Sequence, residues 1–391
     1  MSEVVVVEAV RSPLGRRKGG LSGTHSIELL GAVQSELFQR SGVDPSSVGQ
    51  VVGGCVGQVG MQTMNVARQA WLTAGLPLEV AATTVDTQCG SSQQATNLAY
   101  SMVKSGIVDS AVGCGVEVMS RVPMGSTIPK EPNVGKPVTR AYFEHYELTS
   151  QFEGADRIAK QWGITRDETD AFGALSQARG AEAWADQRFD SQIVPIEAPE
   201  LDEDRNPLDT KTTIRRDEGL RATTPEALAG LRTNLPDGIH TAGTSSQISD
   251  GAAAVLMMTR EKADELGLEA KATIVDACLV GSDPVLMLTG PIGATQKLLT
   301  HNGMTIGDID LVEINEAFAS VVLAWERELK PDMARVNPNG GAIALGHPLG
   351  GTGAVLLTKA IHELARADKE HALVTMCCGG GLGTGTLLRR G

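Results

Sequence analysis

The order of turn, helix and strand signals is the same in the two halves of this chain. In the first half, a turn at Cys89–Gly90 leads into a helical pattern and then into the apolar run SAVGCGVEVMS. In the second half, the Gly-rich stretch NPNGGAIALGHPLGGTGA leads into a helical pattern and then into HALVTMCCGGG. A supersecondary unit that recurs along a chain indicates internal duplication. The repeat therefore predicts a duplicated α/β fold with two facing sheets.

Strand-like and helical stretches alternate on either side of a different middle section. From Val4 to about Ser120, runs such as VVVVEAV alternate with helical stretches, one of which begins near Ser26. The same alternation returns from Ser249 onward. Alternation of this kind indicates βαβ units, and by itself it favours a mostly parallel sheet.

The middle section, from about Arg121 to Thr244, is rich in prolines and charges, and its periodicity is broken. It contains two helical patterns, QFEGADRIAKQWG and TRDETDAFGALSQARGAEAWADQ. Thr165 and Glu168 have the spacing of a capping box at the start of the second helix. Because both helices carry apolar faces, this section is predicted to be an inserted, solvent-exposed subdomain rather than a disordered linker.

The net charge and the hydropathy of the chain limit which binding partners and which cellular location are expected. The chain carries a formal net charge of −13, which argues against nucleic acid and anionic membranes as partners. A local basic patch would still be enough for a small anionic ligand. No apolar run approaches the roughly 20 residues that a membrane-spanning helix needs. The N-terminal run MSEVVVVEAV is typical of a strand rather than a signal peptide. We therefore expect a cytoplasmic protein.

The six cysteines are irregularly spaced, and no pair or His/Cys cluster has zinc spacing, so no metal is expected. Cys55, Cys114 and Cys278 lie in apolar or Gly-rich segments, where buried structural thiols are expected. Cys89 stands instead at a strand-to-helix turn. Unpaired backbone N–H groups and the helix dipole favour a thiolate there. The alternative is a small residue that only fills a tight turn.

Three further segments place polar side chains at turns beside buried strands. In INEAFA, Asn315 and Glu316 interrupt an apolar passage, and a helix N-cap is the simpler role for Asn315. In NGGAIALGHPLGGTGA, glycines surround His347, which favours a catalytic or ligand-binding histidine, since the lysine of a phosphate-binding loop is missing. In TMCCGGGLGTG, Cys377 and Cys378 precede glycines whose N–H groups can face an oxyanion. A disulfide between these adjacent cysteines is geometrically poor, so two free thiols are expected.

Together these segments supply two thiols, a histidine, an asparagine and backbone donors. Nucleophilic catalysis needs a thiolate, a base that generates it, and donors for the tetrahedral oxyanion. A cysteine–histidine pair alone also fits a hydrolase or a cysteine protease. The second thiol distinguishes this set. A thiol with an ordinary pKa of roughly 8.5 suits proton transfer to and from carbon once that pKa is modestly shifted.

With these segments in their order, the sequence resembles the thiolase family (acetyl-CoA C-acyltransferases) over essentially its whole length. The resemblance is carried by RSPLG, CGSSQQA, SDGAAAV, NEAFA, NGGAIALGHPLGGTGA and CCGGGLGTG. It implies an α/β, thiolase-like duplicated αβαβα layered fold, with two facing mixed sheets and an inserted loop domain. The segments QFEGADRIAK and SSQISDGAAAVL most resemble those of degradative thiolases of lipid and sterol side-chain breakdown.

The resemblance also implies a role for each site residue. Cys89 matches the nucleophile that holds the acyl group as a thioester. His347 matches the base that activates Cys89 and later the CoA thiol, and Cys377 matches the acid/base at the α-carbon of acetyl-CoA. Asn315 resembles the residue that holds a water in one oxyanion hole together with His347. The backbone N–H groups of Cys89 and Gly379 are implied as the second oxyanion hole.

For ligands and assembly, the resemblance implies acyl-CoA and CoA as substrates, no permanently bound cofactor, and a homodimer or homotetramer. Ser246 in GTSSQISDG resembles the serine near the CoA pantetheine. Arg221 or its basic neighbours are predicted to meet the CoA phosphates. The implied domains are an N-terminal half (1–120 plus 246–270), a loop domain over CoA (121–245) and a C-terminal half (271–391).

The chain also departs from the family pattern. Short-chain biosynthetic thiolases carry a Met-Gly pair, preceded by a His, where this chain has ELTSQFEGAD, a change in the wall of the acyl pocket. The serine-glycine of the CoA motif is Ser246-Gln247 here. Cys378 falls where the family varies and is predicted to be a bystander.

The leading hypothesis is therefore a degradative thiolase that cleaves 3-ketoacyl-CoA to acetyl-CoA and a shortened acyl-CoA through a Cys89 acyl-enzyme. One alternative is a biosynthetic acetoacetyl-CoA thiolase that joins two acetyl-CoA. A ketoacyl synthase or hydroxymethylglutaryl-CoA synthase on a similar fold is a second, and a non-catalytic acyl-CoA-binding protein is a third.

Overall fold

The computed structural model describes residues 2–128 and 131–391. The strands are β1 (Val4–Arg11), β2 (Gly15–Arg16), β3 (Gln50–Gly54), β4 (Ala82–Val85), β5 (Ser110–Val118), β6 (Ile196–Leu201), β7 (Pro207–Ile214), β8 (Ser249–Thr259), β9 (Ala272–Gly281), β10 (Leu311–Ile314), β11 (His371–Cys378) and β12 (Leu382–Arg390). The α-helices are α1 (Ser26–Ser41), α2 (Val66–Thr73), α3 (Ser91–Lys104), α4 (Gln151–Gln161), α5 (Arg166–Ala185), α6 (Pro225–Ala229), α7 (Arg260–Glu265), α8 (Gly290–His301), α9 (Ala319–Leu329) and α10 (Thr352–Arg366). Short 3₁₀ helices span Gly20–Gly23, Pro45–Ser47, Gly60–Gln62, Pro132–Val134, Arg140–Glu144, Ile306–Asp308, Met333–Arg335 and Leu349–Gly351. Within the described residues, no helix combines the length and the apolar character that crossing a membrane requires.

Nearby residues explain where several of these elements begin and end. All 8 residues of β1 are buried, so its apolar run needs no alternation with polar residues. Helix α1 begins at Ser26, as predicted, and is followed by Gly42, whose φ of 68° is the left-handed conformation typical of a helix C-cap. The predicted capping box between Thr165 and Glu168 starts α5. Local signals in the sequence therefore set these boundaries.

The sheet repeats one strand order in its two halves. Ten of the described strands form one sheet, in the order β10-β11-β12-β9-β1-β8-β5-β3-β4 with β2 beside β8, and β6 and β7 form a separate pair. The runs β3-β5-β8-β1 and β10-β11-β12-β9 have the same pattern, a parallel pair followed by two antiparallel pairs. This pattern confirms the predicted duplicated α/β fold.

The sheet agrees with one sequence prediction and differs from two others. It is mixed, as the family resemblance implies, and not mostly parallel as the alternation by itself favours, because β8 and β12 each pair antiparallel with both of their main neighbours. β12 follows β11 after the tight turn Gly379–Gly381, and a tight turn joins only antiparallel strands. The two halves are also not separate sheets: Val5 pairs with Thr273 and Val6 with Ala272, which joins β1 to β9.

Helices α3 and α10 pack together between the two halves of the sheet. Their apolar residues form one core with strands of both halves. Gln93 of α3 donates hydrogen bonds to Val374 O in β11 and to Thr386 Oγ1 in β12, both at 2.9 Å. Ser92 Oγ accepts a hydrogen bond from Ala354 N of α10 at 2.9 Å. The start of α3 is therefore held against the C-terminal half of the chain.

The segment predicted as an inserted domain leaves the sheet after β5 and returns to it in β8. A buried ion pair fixes it to the first strand. The guanidinium of Arg11 donates to both carboxylate oxygens of Asp217, at 2.8 and 3.0 Å, and neither side chain is exposed. Such a bidentate pair holds two segments in one orientation. The domain boundaries given above remain a prediction.

Candidate active site

Cys89 lies in a strained turn between β4 and α3. Gln88, the preceding residue, has φ +50°, a left-handed conformation that non-glycine residues rarely adopt. The carboxylate of Asp86 accepts a hydrogen bond from Gln88 N at 2.7 Å and holds the turn. A Cβ at Gly90 would come within 2.5 Å of Cys378 Sγ, so the site has room only for glycine. The predicted strand-to-helix turn is confirmed, and it brings Cys89 to the end of β11.

Burial governs the acidity of the Cys89 thiol. Removal from water raises its pKa to about 11, although the backbone N–H groups of Gly379 and of Cys89 itself stabilise the thiolate. The carboxylates of Glu117 and Asp86 raise this pKa further. The sequence predicted that the helix start would favour a thiolate. The backbone donors act in the predicted direction, but burial outweighs them, so the thiol is protonated near pH 7 and Cys89 needs a base.

The second thiol of the site belongs to Cys377 at the end of β11. Cys377 and Cys378 are both fully buried. Burial raises the pKa of Cys377 well above its ordinary value, and the neighbouring thiol of Cys89 raises it further. The modest shift predicted from sequence is therefore wrong, because the strand is covered by packed side chains that include Phe318 and Leu288. The thiols of Cys89 and Cys377 are thus both free and close enough to interact electrostatically.

His347 is held in one tautomer with its other ring nitrogen free. The Thr352 hydroxyl donates a hydrogen bond to Pro348 O at 3.0 Å, so its oxygen can only accept from His347 Nδ1, at 2.7 Å. The proton therefore sits on Nδ1, and Nε2 carries the lone pair. Nε2 is buried and has no hydrogen-bond partner among the described residues. Burial lowers the pKa of His347 to about 4, so the imidazole is neutral near pH 7 and can accept a proton.

Asn315 is fully buried, and its side chain forms no hydrogen bond that would stabilise the fold. Neither Oδ1 nor Nδ2 has a hydrogen-bond partner in the part of the chain that the structure describes. The simpler role of helix N-cap is excluded, because α9 begins at Ala319 and Phe318 occupies the N-cap position. Buried amides without partners are rare in folded proteins. The neighbouring Glu316, by contrast, accepts hydrogen bonds from Ser176 Oγ at 2.6 Å and from other groups.

Two adjoining cavities contain the predicted site residues. One, of about 890 Å³, is lined by Cys89 and Gly379 and is called the cysteine cavity. The other, of about 430 Å³, is lined by His347, Ser246 and Arg221 and is called the histidine cavity. The two cavities share lining residues: Met124, Gln151, Phe152 and Leu349. No hydrogen bond within the described residues joins Cys89 to His347. Cys377 and Asn315 are fully buried and line neither cavity.

A buried carboxylate ties the turns around these cavities together. Glu117, at the end of β5, accepts hydrogen bonds from Val56 N and Gly57 N, each at 2.9 Å, and from Gly350 N at 3.0 Å. Gln62 Nε2 donates to the same carboxylate at 2.6 Å. Because Gly350 follows closely after His347, this network positions the histidine turn relative to β5. Glu117 was not predicted from the sequence, since its donors come from distant segments.

The structure also adds residues near the predicted CoA contacts. Arg16 and Arg17 line the histidine cavity together with Arg221, which gives it three cationic side chains. They directly follow the RSPLG segment. In the sequence, the only sign of their role was a pair of adjacent arginines shortly after a buried strand. Gln247, at the second departure from the family pattern, donates through Nε2 to Gly219 O and Ile343 O at 2.8 Å. This contact joins the Arg221 segment to the histidine turn.

Two thiols, a neutral imidazole with a free nitrogen and an unpartnered amide are the groups that a site for thiol-dependent acyl transfer requires. No group of three or more His, Cys, Asp or Glu side chains within the described ranges is placed to hold a metal ion. The fold and these groups together define a class of acyl-transferring α/β enzymes.

Comparison with known proteins identifies the family. The family descriptions "Thiolase, N-terminal domain" and "Thiolase, C-terminal domain" match residues 4–261 and 268–390. The chain therefore belongs to the thiolase family. It is 42% identical to the steroid 3-ketoacyl-CoA thiolase FadA6 of Mycobacterium tuberculosis, over 100% of this chain and 95% of that protein. It is 40% identical to a 3-ketoacyl-CoA thiolase of Bacillus subtilis, over 98% of both chains. The crystal structure of the Bacillus anthracis acetyl-CoA acetyltransferase is similar with a TM-score of 0.90 and 36% identity, over 100% of this chain and 99% of that one.

Proposed function

We propose that Cys89, His347, Cys377 and Asn315 catalyse the CoA-dependent cleavage of 3-ketoacyl-CoA to acetyl-CoA and a shortened acyl-CoA. The chain is an acyltransferase, and CoA is its co-substrate, as the names of its full-length relatives support. The observation that carries the residue roles is the second thiol, because Cys377 lies beside Cys89 where a hydrolase would need no such group. The assembly as a homodimer or homotetramer remains a prediction.

The first half of the reaction forms the acyl-enzyme. His347 Nε2 takes the proton of the Cys89 thiol, and the sulfur attacks the 3-keto carbon of the substrate. The backbone N–H groups of Cys89 and Gly379 stabilise the resulting oxyanion. The bond between the α-carbon and the 3-keto carbon then breaks. Its electron pair leaves as the enolate of acetyl-CoA, and the Cys377 thiol protonates the α-carbon. Asn315 Nδ2 and the protonated His347 are available to the enolate oxygen, directly or through a water.

The second half releases the shortened acyl group. The proton on His347 passes to the Cys377 thiolate, so that both groups return to their starting states. CoA then enters, His347 takes the proton of its thiol, and the CoA sulfur attacks the thioester carbonyl. As the tetrahedral intermediate collapses, Cys89 leaves as a thiolate and recovers its proton from His347. The same steps run backwards as a Claisen condensation.

The size of the cysteine cavity supports a bulky acyl group. Its volume of about 890 Å³ is near the top of the ~300–1,000 Å³ range of sites for drug-sized ligands. Phe152 and Leu148, from the segment that departs from short-chain thiolases, line its wall. The name of the steroid thiolase relative points in the same direction.

We expect the protein to cleave a ring-bearing or long 3-ketoacyl-CoA with a kcat/KM about tenfold or more above that for acetoacetyl-CoA. The physical reason is that the larger acyl group buries more apolar surface in the cavity. The measurement follows loss of each substrate and formation of acetyl-CoA with added CoA. A preference for acetoacetyl-CoA would instead support the short-chain alternative. If the protein cleaved neither substrate, the result would support the alternative of a non-catalytic acyl-CoA-binding protein.

Thr352→Val should lower kcat by about 10- to 100-fold with little change in KM. Valine keeps the shape of threonine but removes the oxygen that accepts from His347 Nδ1, so the proton is free to move to Nε2. The effect should be smaller than the ~10⁴-fold loss known where a buried carboxylate orients a catalytic histidine. Steady-state kinetics on the preferred substrate measure it.

Thr352→Ser is the matched control, because serine restores the hydroxyl and should recover most of the wild-type kcat. If Thr352→Ser were as impaired as Thr352→Val, the role of Thr352 would be packing at the start of α10. An unchanged kcat in Thr352→Val would show that the hydroxyl does not set the tautomer.

A further inference from the structure

We propose that the acyl group taken by this protein carries a second, anionic end, a carboxylate remote from the thioester, and that Lys136 binds it. The inference rests on the proposed function, because it concerns the acyl group that Cys89 would hold. The charged residues that line the cysteine cavity carry it.

The wall of the cysteine cavity contains several exposed apolar side chains. Met124, Ile128, Val134 and Leu148 line it, and each is at least half exposed. Exposed apolar residues grouped around a cavity are typical of a surface that an apolar ligand covers. The body of the acyl group is therefore expected to be apolar.

Among the residues that line this cavity, three are charged: Asp86, Glu117 and Lys136. Glu117 is used by the fold, as four donors converge on its carboxylate. Asp86 is used by the Cys89 turn, where it accepts from the backbone and side chain of Gln88. Both carboxylates belong to the structure around Cys89. Neither forms an ion pair with Lys136 within the described residues.

Lys136 is different because the described residues give it no ion pair, and it is an exposed residue that lines the cavity. The protein as a whole carries a net charge of −13. An anionic substrate is therefore repelled at long range, and a cation inside the site is what offsets that repulsion locally. Carboxylates are the natural partner of an ammonium group in a protein site.

The anionic groups of CoA itself do not account for Lys136. Arg16, Arg17 and Arg221 line the histidine cavity, where the CoA-binding Ser246 is also predicted to act. Lys136 lines the cysteine cavity together with Cys89, which would hold the acyl group. The two sets of cations therefore fit the two ends of one substrate: arginines for the CoA phosphates and a lysine for the far end of the acyl chain.

The experiment compares matched 3-ketoacyl-CoA pairs of increasing length that differ only in the terminal group, a carboxylate or a methyl group. At one or more lengths, the wild type should prefer the carboxylate in kcat/KM by about tenfold, which corresponds to ~1.4 kcal/mol. Lys136→Met should remove this preference while cleaving the methyl-ended substrate as well as the wild type does. Lys136→Arg should keep the preference, and added salt should weaken it in the wild type.

The control variant is Lys369→Met, which removes one positive charge outside both cavities and should leave the preference intact. Three results would overturn the proposal. One is equal use of both substrates by the wild type at every length. Another is a Lys136→Met variant that raises KM equally for both members of each pair, which would make Lys136 a CoA contact. The third is a Lys136→Met variant that keeps the preference. In each case cleavage of the methyl-ended substrate would leave the proposed thiolase activity standing, whereas loss of all cleavage by the wild type would overturn both.

Discussion

Replacement of Cys89 by alanine is expected to abolish turnover and the covalent acyl-enzyme. The loss should be at least on the order of 10⁴ in kcat, as for other enzymes that lose their nucleophile. Cys89 is the thiol that lies in the open cavity, at a strained turn with two N–H groups directed at its sulfur. Intact-mass spectrometry after incubation with 3-ketoacyl-CoA in the absence of CoA should show the acyl adduct on the wild type and none on the variant.

Cys278→Ala is the matched control for this experiment. Cys278 is another free cysteine, but it is buried in β9 and lines neither cavity. This variant should keep the acyl adduct and nearly all of the activity. An adduct that persists in Cys89→Ala would assign the nucleophile to another residue, with Cys377 the first to examine because it is the neighbouring thiol.

Replacement of His347 by alanine is expected to lower kcat/KM by a factor on the order of 10²–10⁴ near neutral pH. The reason is the pKa of Cys89, which burial raises to about 11. At pH 7, four units lower, only about one molecule in 10⁴ carries a thiolate unless a base removes the proton during the reaction. His347 is neutral under these conditions, since burial lowers its pKa to about 4, and its Nε2 is free to accept the proton.

The pH profile distinguishes this role from a structural one. In His347→Ala the residual rate should rise about tenfold per pH unit until the Cys89 thiol titrates, because only the thiolate fraction reacts. In the wild type, the imidazole of His347 becomes protonated only below pH about 4. His347 should therefore cause no loss of kcat/KM above that pH. A variant with the same shallow profile as the wild type and a proportionally lower rate would contradict the general-base role. His362→Ala, at a half-buried histidine outside both cavities, tests whether the effect is specific.

Much of the fold was predictable because its signals are local. The start of α1 at Ser26, the capping box of α5 and the turn before α3 depend on residues a few positions apart. The internal repeat was visible because each half contains the same order of turn, helix and strand. Pairing across the sheet was not predictable in this way. The antiparallel position of β8 depends on a strand that returns after the long inserted segment.

For the site, the sequence alone determined which residue types stand at turns beside buried strands: Cys89, Asn315, His347 and Cys377. Turn glycines and interrupted apolar runs mark such positions without reference to the rest of the chain. Only the tertiary structure decided how acidic the two thiols and the imidazole are. A pKa depends on how much water and which charges surround an atom, and those come from segments far apart in sequence. The approach of Gly379 to Cys89 is one example. For the same reason the sequence overestimated the thiolate character of Cys89, and it gave no sign that Lys136 lies in the cavity that contains Cys89.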